Sequence, residues 1–268
     1  MPLLKDKVAI VTGAGSGIGR AGAQLFAREG ASVVVAEINR DRGEAVAGSI
    51  QQEGGRASCL TCDVRDSKSV QQLVHGTIHQ FGGIDILFHN AMNVPLVNAE
   101  DRRATELPEQ IWDEILRLVL TGTFLCCKYV GREMIERKQG SIILTATVDA
   151  LIGQAGLDAY TAAKGGVVAM TRSLAAGLAS DGVRVNAICP GFVATEPQQG
   201  WLGDPQARRQ IESLHLLPIA QPEDIAAFAL YLASDQSRIV TGGVFPIDSG
   251  YLAFKSKSDV MSAIQTKS

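Results

Sequence analysis

Short runs of β-branched and aliphatic residues alternate with longer stretches of helical period from the first residues to beyond position 240. That alternation builds a parallel sheet with crossover helices. Strands are expected at 8–12, 32–37, 57–62, 84–89, 141–146, 184–189 and 244–247, each rich in Val, Ile or Leu as in strands buried on both faces. Helical patterns lie between them at 17–29, 42–53, 67–81, 108–138, 159–180 and 222–234. Several carry start signals: Asp66 or Ser67 caps the third, Leu107-Pro108-Glu109 opens the fourth, and Gln221-Pro222-Glu223-Asp224 opens the last with acids in its first turn.

Two connections are long, 92–107 and 191–221, the second containing Trp201, a Gly203-Asp204-Pro205 turn and the cluster Leu214, Leu216 and Leu217. Both follow the C-terminal ends of strands, where open α/β sheets bind ligands, so they are read as lids. The segment 255–268 is a polar tail that is either disordered or covers a neighbouring subunit. The chain is read as one domain over 1–254 followed by that tail.

A chain of 268 residues that is 46% hydrophobic can bury a large core. With 25 Lys+Arg against 28 Asp+Glu, its formal charge of −3 exerts no general pull toward nucleic acid or acidic lipid. The longest uncharged apolar candidate, 118–127, falls short of the roughly 18 to 20 residues that span a bilayer. Lys5, Asp6 and Lys7 precede an apolar run too short for a signal sequence, so a cytoplasmic setting is expected. Five irregularly spaced cysteines agree with a reducing compartment.

Twenty-eight glycines against nine prolines direct attention to where glycine is needed. The first strand runs into Thr12-Gly13-Ala14-Gly15-Ser16-Gly17-Ile18-Gly19-Arg20 and then a helix. The spacing is T-G-x-x-x-G-x-G rather than G-x-G-x-x-G. A glycine turn there lets backbone approach a pyrophosphate and places it on a helix N-terminus, where free N–H groups and the dipole favour anions. The expected fold is therefore α/β, a doubly wound, Rossmann-like dinucleotide-binding sheet with helices on both faces. Glu37 closes the second strand, where a carboxylate accepts from an adenosine ribose diol and repels a 2′-phosphate. NAD is the cofactor this favours, with NADP kept open by Arg40 and Arg42 nearby.

Tyr160 and Lys164 stand four apart on an expected helix and share a face. An ammonium beside a phenol favours the phenolate and suits the pair to acid/base work. Taken with Thr12–Gly19, His89-Asn90-Ala91, Pro190-Gly191 with Thr195, and Asp248-Ser249-Gly250, the chain resembles the short-chain dehydrogenase/reductase family over about residues 5 to 252. The resemblance implies hydride transfer between a nicotinamide cofactor and a secondary alcohol or ketone. It assigns Gly13, Ser16, Gly17, Ile18 and Gly19 to the pyrophosphate, Glu37 to the ribose, and Asp63 and Val64 to the adenine. Asn90 and Ala91 would line the cofactor side of the fourth strand, and Pro190, Gly191, Val193 and Thr195 the carboxamide end. Tyr160 would be the acid/base, Lys164 would lower its pKa and bind the nicotinamide ribose, and Thr147 would stand where the family has its catalytic serine. Met92 and Trp201 join Thr147 and Tyr160 as substrate contacts. The helices from 108 and 159 resemble those that pair between subunits in the family, implying a homotetramer.

Three departures from the family pattern stand out. Thr147 keeps the serine's hydroxyl and adds a methyl. Met92 puts a thioether where the family has glycine, reshaping the substrate pocket. Val119 replaces an asparagine that anchors a water-linked proton path, so that path is rerouted, slowed or absent. Met92 and Val119 together motivate the alternative of a nucleotide-binding protein with weak or no turnover. Cys59, Cys62, His75 and His79 have formal zinc-finger spacing, but the cysteines sit at an odd offset on one strand and point to opposite faces, so no metal is expected. Cys126 and Cys127 read as core thiols.

Overall fold

The seven apolar runs form seven strands in the computed structural model, which describes residues 2–254; the polar tail expected at 255–268 lies outside the described residues. In chain order the elements are β1 (Val8–Thr12), α1 (Gly17–Arg28), β2 (Ser32–Glu37), α2 (Arg40–Gln52), β3 (Arg56–Thr61), α3 (Ser67–Phe81) and β4 (Ile86–His89). There follow α4 (Val94–Glu100), α5 (Glu109–Leu116), α6 (Gly122–Arg137), β5 (Gly140–Thr145), α7 (Asp158–Leu178) and β6 (Val183–Pro190). The last are α8 (Gln199–Gly203), α9 (Pro205–Ser213), α10 (Pro222–Ala233) and β7 (Val244–Ile247). All strand pairs are parallel, in the order β3-β2-β1-β4-β5-β6-β7. The chain winds outward from β1 to β3, returns to β4, and winds the other way to β7. The reversal between β1 and β4 is the switch point at which such sheets open a crevice.

Alternation along each strand divides the core into two layers. Ile10, Val34, Leu87, Ile142, Leu144 and Val185 face α3, α6 and α7. Ala9, Val11, Val33, Val35, Phe88 and Ile143 face α1, α2 and α10. Cys62 belongs to the first layer and Cys59 packs against the second, the opposite orientations their odd offset required. Among the described residues no group of three or more His, Cys, Asp or Glu stands where it could hold a metal ion, and no helix is long and apolar enough to cross a membrane.

Sequence period alone misses two local features. The helical pattern at 108–138 is one rod, but Arg117–Thr121 form a π turn in which the Gly122 N–H reaches back to the Arg117 carbonyl. Val119, whose side chain is 2% exposed, lies in that turn, and the Thr123 hydroxyl donates to its carbonyl. The connection 92–107 contains α4, capped by the Asn93 side chain on the Leu96 N–H. Likewise 191–221 carries α8 and α9, the latter capped by Asp204.

Asn186, fully buried in β6, fastens the sheet edge: its Nδ2 donates to the Val240 carbonyl at 2.9 Å and its Oδ1 accepts from the Gly243 N–H at 3.0 Å. Asn186→Ala strands both partners, and urea unfolding should register a loss of about 2 to 4 kcal/mol.

Candidate active site

The C-terminal ends of β1 and β4 are tied together by one side chain. Thr12 Oγ1 accepts from the N–H groups of Asn90 (3.0 Å) and Ala91 (3.1 Å) and lies 3.0 Å from His89 Nδ1. With two amides donating to it, the Thr12 hydroxyl gives its own hydrogen to Nδ1, so His89 is neutral with its proton on Nε2. Burial, with the Lys164 charge adding to it, pushes His89 down to about 3.

This tie brings Ala91 against the glycine loop. A Cβ on Gly13, whose φ is +63°, would stand 2.7 Å from Ala91 Cα, and one on Gly19 would stand 2.2 Å from the Gly13 carbonyl oxygen. The loop is closed to a side chain at those two positions for that reason. Ser16 takes the N-cap position of α1 without a side-chain cap bond. At the same helix end the Gly17 N–H donates to Glu196 Oε2 at 3.0 Å, and Glu196 also pairs with Arg20. Glu196, from the segment after β6, thus stands in for an anion on the α1 N-terminus. A cradle that admits no Cβ at Gly13 or Gly19 and already holds a carboxylate suits a pyrophosphate.

Glu37 lies beside the loop, its Oε2 accepting from the Gly15 N–H at 3.0 Å and its Oε1 from the Asn39 N–H at 3.1 Å. Asp63 follows β3, but its carboxylate is taken by Arg65, whose Nε and Nη2 donate to it at 2.9 to 3.2 Å and hold it below the usual carboxylate range. Val64 is buried with its side chain toward Gly122. Asn90 Oδ1 accepts from Thr145 Oγ1 at 3.2 Å, and Ala91 and Met92 pack against the first core layer.

On the far side, Pro190 ends β6, and a Cβ on Gly191 would stand 3.0 Å from Asp248 Cα. Val193 bridges to Ala220, closing the base of the 191–221 segment, and Thr195 lies over Gly17. Trp201, on α8, is about half exposed.

Lys164, one turn along α7 from Tyr160, places its ammonium 5.9 Å from the Tyr160 ring centre and donates to the Thr145 carbonyl at 2.5 Å. Burial lowers its pKa to about 8, Cys189 opposing. Burial likewise raises the Tyr160 phenol well above its ordinary range, opposed by a hydrogen bond with Thr147. In this state the phenol is neutral. Thr147 is 5% exposed, and its hydroxyl donates to Asp149 Oδ2 at 3.1 Å. The glycine loop, Glu37, Asn90, Thr147, Tyr160, Lys164 and the Pro190–Thr195 strap therefore gather at one end of the sheet. Sequence reasoning missed Arg65, Asp149 and Glu196. The Thr147-x-Asp149 spacing, in which a hydroxyl reaches two residues along, was a readable signal. The Glu196 contact spans 179 positions and had none.

A Rossmann-like sheet with a Tyr and a Lys one helical turn apart beside its glycine loop defines a class of nucleotide-dependent oxidoreductases. A family model described as enoyl-(acyl carrier protein) reductase matches residues 13–252. The D-threitol dehydrogenase of Mycolicibacterium smegmatis is 39% identical over 92% of this chain and 94% of its own. The 2,5-dichloro-2,5-cyclohexadiene-1,4-diol dehydrogenase of Sphingobium indicum is 38% identical over 93% and 98%. The solved structure of gox2181 superposes with a TM-score of 0.89 at 30% identity, covering 94% of this chain and 97% of that one. The chain belongs to the short-chain dehydrogenase/reductase family of oxidoreductases, whose members use a nicotinamide cofactor.

Proposed function

We propose that the protein is an NAD-dependent dehydrogenase/reductase that interconverts a secondary alcohol and its ketone. The observation that carries this reading is Tyr160 with Lys164 one helical turn away, the ammonium 5.9 Å from the phenol ring centre, at the end of the sheet that also holds the glycine loop and Thr147. Gly13, Ser16, Gly17, Ile18 and Gly19 hold the pyrophosphate, Glu37 the adenosine ribose, and Asn90, Ala91, Pro190, Gly191, Val193 and Thr195 the nicotinamide half. When bound, the nicotinamide supplies the hydride acceptor or donor. Tyr160 exchanges the proton of the reacting hydroxyl, Thr147 hydrogen-bonds the same oxygen, and Lys164 favours the phenolate by its charge. The diol and polyol names of two relatives support a small polyhydroxylated or cyclic alcohol, with Met92 and Trp201 lining its pocket and segment 191–221 covering it. Exposure of Phe124 on α6 supports subunit pairing through that helix and a homotetramer, and a light-scattering mass of one chain would refute it.

The test is turnover followed at 340 nm with NAD and with NADP against linear polyols, cyclic diols and simple secondary alcohols. NAD-linked oxidation of members of that panel is expected; cofactor binding without turnover across it points instead to a nucleotide-binding protein. Glu37→Ala removes a charged acceptor from the ribose diol, worth about 1.5 to 3 kcal/mol, so kcat/KM for NAD should fall about 10- to 100-fold while that for NADP does not fall. An unchanged NAD/NADP ratio would remove Glu37 from cofactor choice.

A further inference from the structure

We propose that Asp101 is a positioning residue for the acid/base: its carboxylate, carried on the connection that follows Met92, caps the first turn of α7 and so fixes where the Tyr160 phenol stands. The inference rests on the reading of Tyr160 as the acid/base.

The first turn of a helix leaves N–H groups without intrahelical partners, and an N-cap side chain ordinarily takes those of the second and third helical residues. In α7 those residues are Ala159 and Tyr160, and the N-cap residue is Leu157, whose side chain has no acceptor and makes no cap bond. The acceptor comes instead from 58 and 59 positions away. Asp101 Oδ1 accepts from the Ala159 N–H at 3.2 Å and Oδ2 from the Tyr160 N–H at 2.8 Å. Ala159 has no exposed surface, so its amide depends on that carboxylate. A negative charge at this end also suits the helix dipole. The tie is reciprocal, since Asp158, the first residue of α7, accepts from the Ala104 N–H through Oδ2 at 2.7 Å.

Tyr160 stands in the turn that Asp101 holds. Lys164, one turn further on, is fastened separately to the sheet by its bond to the Thr145 carbonyl. Release of the Asp101 tie therefore frees the end of α7 that carries the phenol while the ammonium stays where it is, and Tyr160 loses its setting relative to Lys164 and Thr147. Asp101 is fixed from its own side as well. It is the C-cap residue of α4, its N–H donates to the Val97 carbonyl at 3.1 Å, and Oδ1 also accepts from the Arg102 N–H at 2.9 Å. At the near end of the same segment the Ala91 N–H is held by Thr12. The stretch 91–101 is thus anchored to β1 at one end and to α7 at the other, with Met92 between the anchors. The wall proposed for the substrate pocket and the acid/base are held as one unit, so that an alcohol seated against the first meets the second in register.

The test separates alignment from stability. Asp101→Ala should lower kcat about 10- to 100-fold, the loss expected when a reacting group shifts by about an ångström, while KM for the alcohol and Kd for NAD stay within about threefold of wild type. Asp101→Asn, which keeps one oxygen acceptor for the two amides, should recover part of that loss. Asn186→Ala, which breaks bonds at the β6–β7 edge, should lose Tm and keep kcat within about twofold, so that lost stability by itself does not account for the effect. Hydrogen exchange needs no turnover. In cofactor-free Asp101→Ala the Ala159 and Tyr160 amides should exchange at least about tenfold faster than in wild type, with those of 165–175 unchanged, and Asp101→Asn should fall between. A wild-type kcat or a loss confined to KM in Asp101→Ala, or unchanged exchange at Ala159 and Tyr160 in both variants, overturns the proposal and leaves Tyr160 in its role. Faster exchange in Asp101→Ala, together with wild-type turnover that survives Tyr160→Phe, overturns the acid/base reading instead.

Discussion

Tyr160→Phe should lower kcat by about 10³-fold in both directions, since a positioned acid/base contributes about 10²- to 10⁴-fold. The substitution removes one oxygen and leaves the ring in place against the first core layer. Cofactor affinity should therefore stay within about threefold of wild type, and the loss should fall on kcat and kcat/KM alike, as for an interaction made in the transition state. A loss confined to KM would mean that the phenol only binds. Stability separates the two proteins at high pH. Because burial raises the phenol pKa in the folded protein above its unfolded value, its contribution to stability is complete below about pH 10 and is lost as the pH climbs through the folded value. Lys164, lowered to about 8, contributes in the opposite sense, but equally in both proteins. Melting curves across pH 9 to 11 should show wild type losing Tm relative to Tyr160→Phe.

Gly19→Ala should abolish cofactor binding. Its Cβ would stand 2.2 Å from the Gly13 carbonyl oxygen and 2.8 Å from the Gly13 carbonyl carbon, both backbone atoms that cannot swing away. Relief requires the loop to open, and that moves Gly13 off Ala91 and disturbs the two amides held by Thr12. Overpacking of this kind costs about 1 to 3 kcal/mol in stability, and the loss of a shaped pyrophosphate cradle should weaken NAD by at least about 100-fold. Wild type at an NAD concentration of 100 Kd gains about 2.7 kcal/mol, so its Tm rises with NAD while that of Gly19→Ala should not. An equal NAD-induced shift in the two proteins would show that the cofactor does not lie on this loop.

The strands were legible because a parallel sheet covered on both faces demands continuous apolar runs, and 8–12 and 32–37 coincide with the observed β1 and β2. Helix ends were less so: α2 begins at Arg40 rather than 42 because the Asn39 side chain, accepting from the Arg42 N–H, caps it two residues earlier. The π turn at Arg117–Thr121 carries no pattern of its own, since an extra residue in one turn leaves both flanking helices amphipathic. Asp63 illustrates the limit for a site residue: its position was readable, its capture by Arg65 was not.

What the sequence determined by itself was the alternation of strands and helices, the glycine loop, and the placing of Tyr160 and Lys164 on one helix face. Each is a relation among near neighbours, and local backbone geometry dictates it. Only the tertiary structure decided that Glu196 sits on the α1 N-terminus, that Thr12 clamps β4, and that Thr147 turns its proton toward Asp149. Those depend on which strand ends the sheet order brings together and on how little water reaches them. Burial is a property of the assembled layers, and it is burial that pushes Lys164 down, Tyr160 up and His89 into its neutral form.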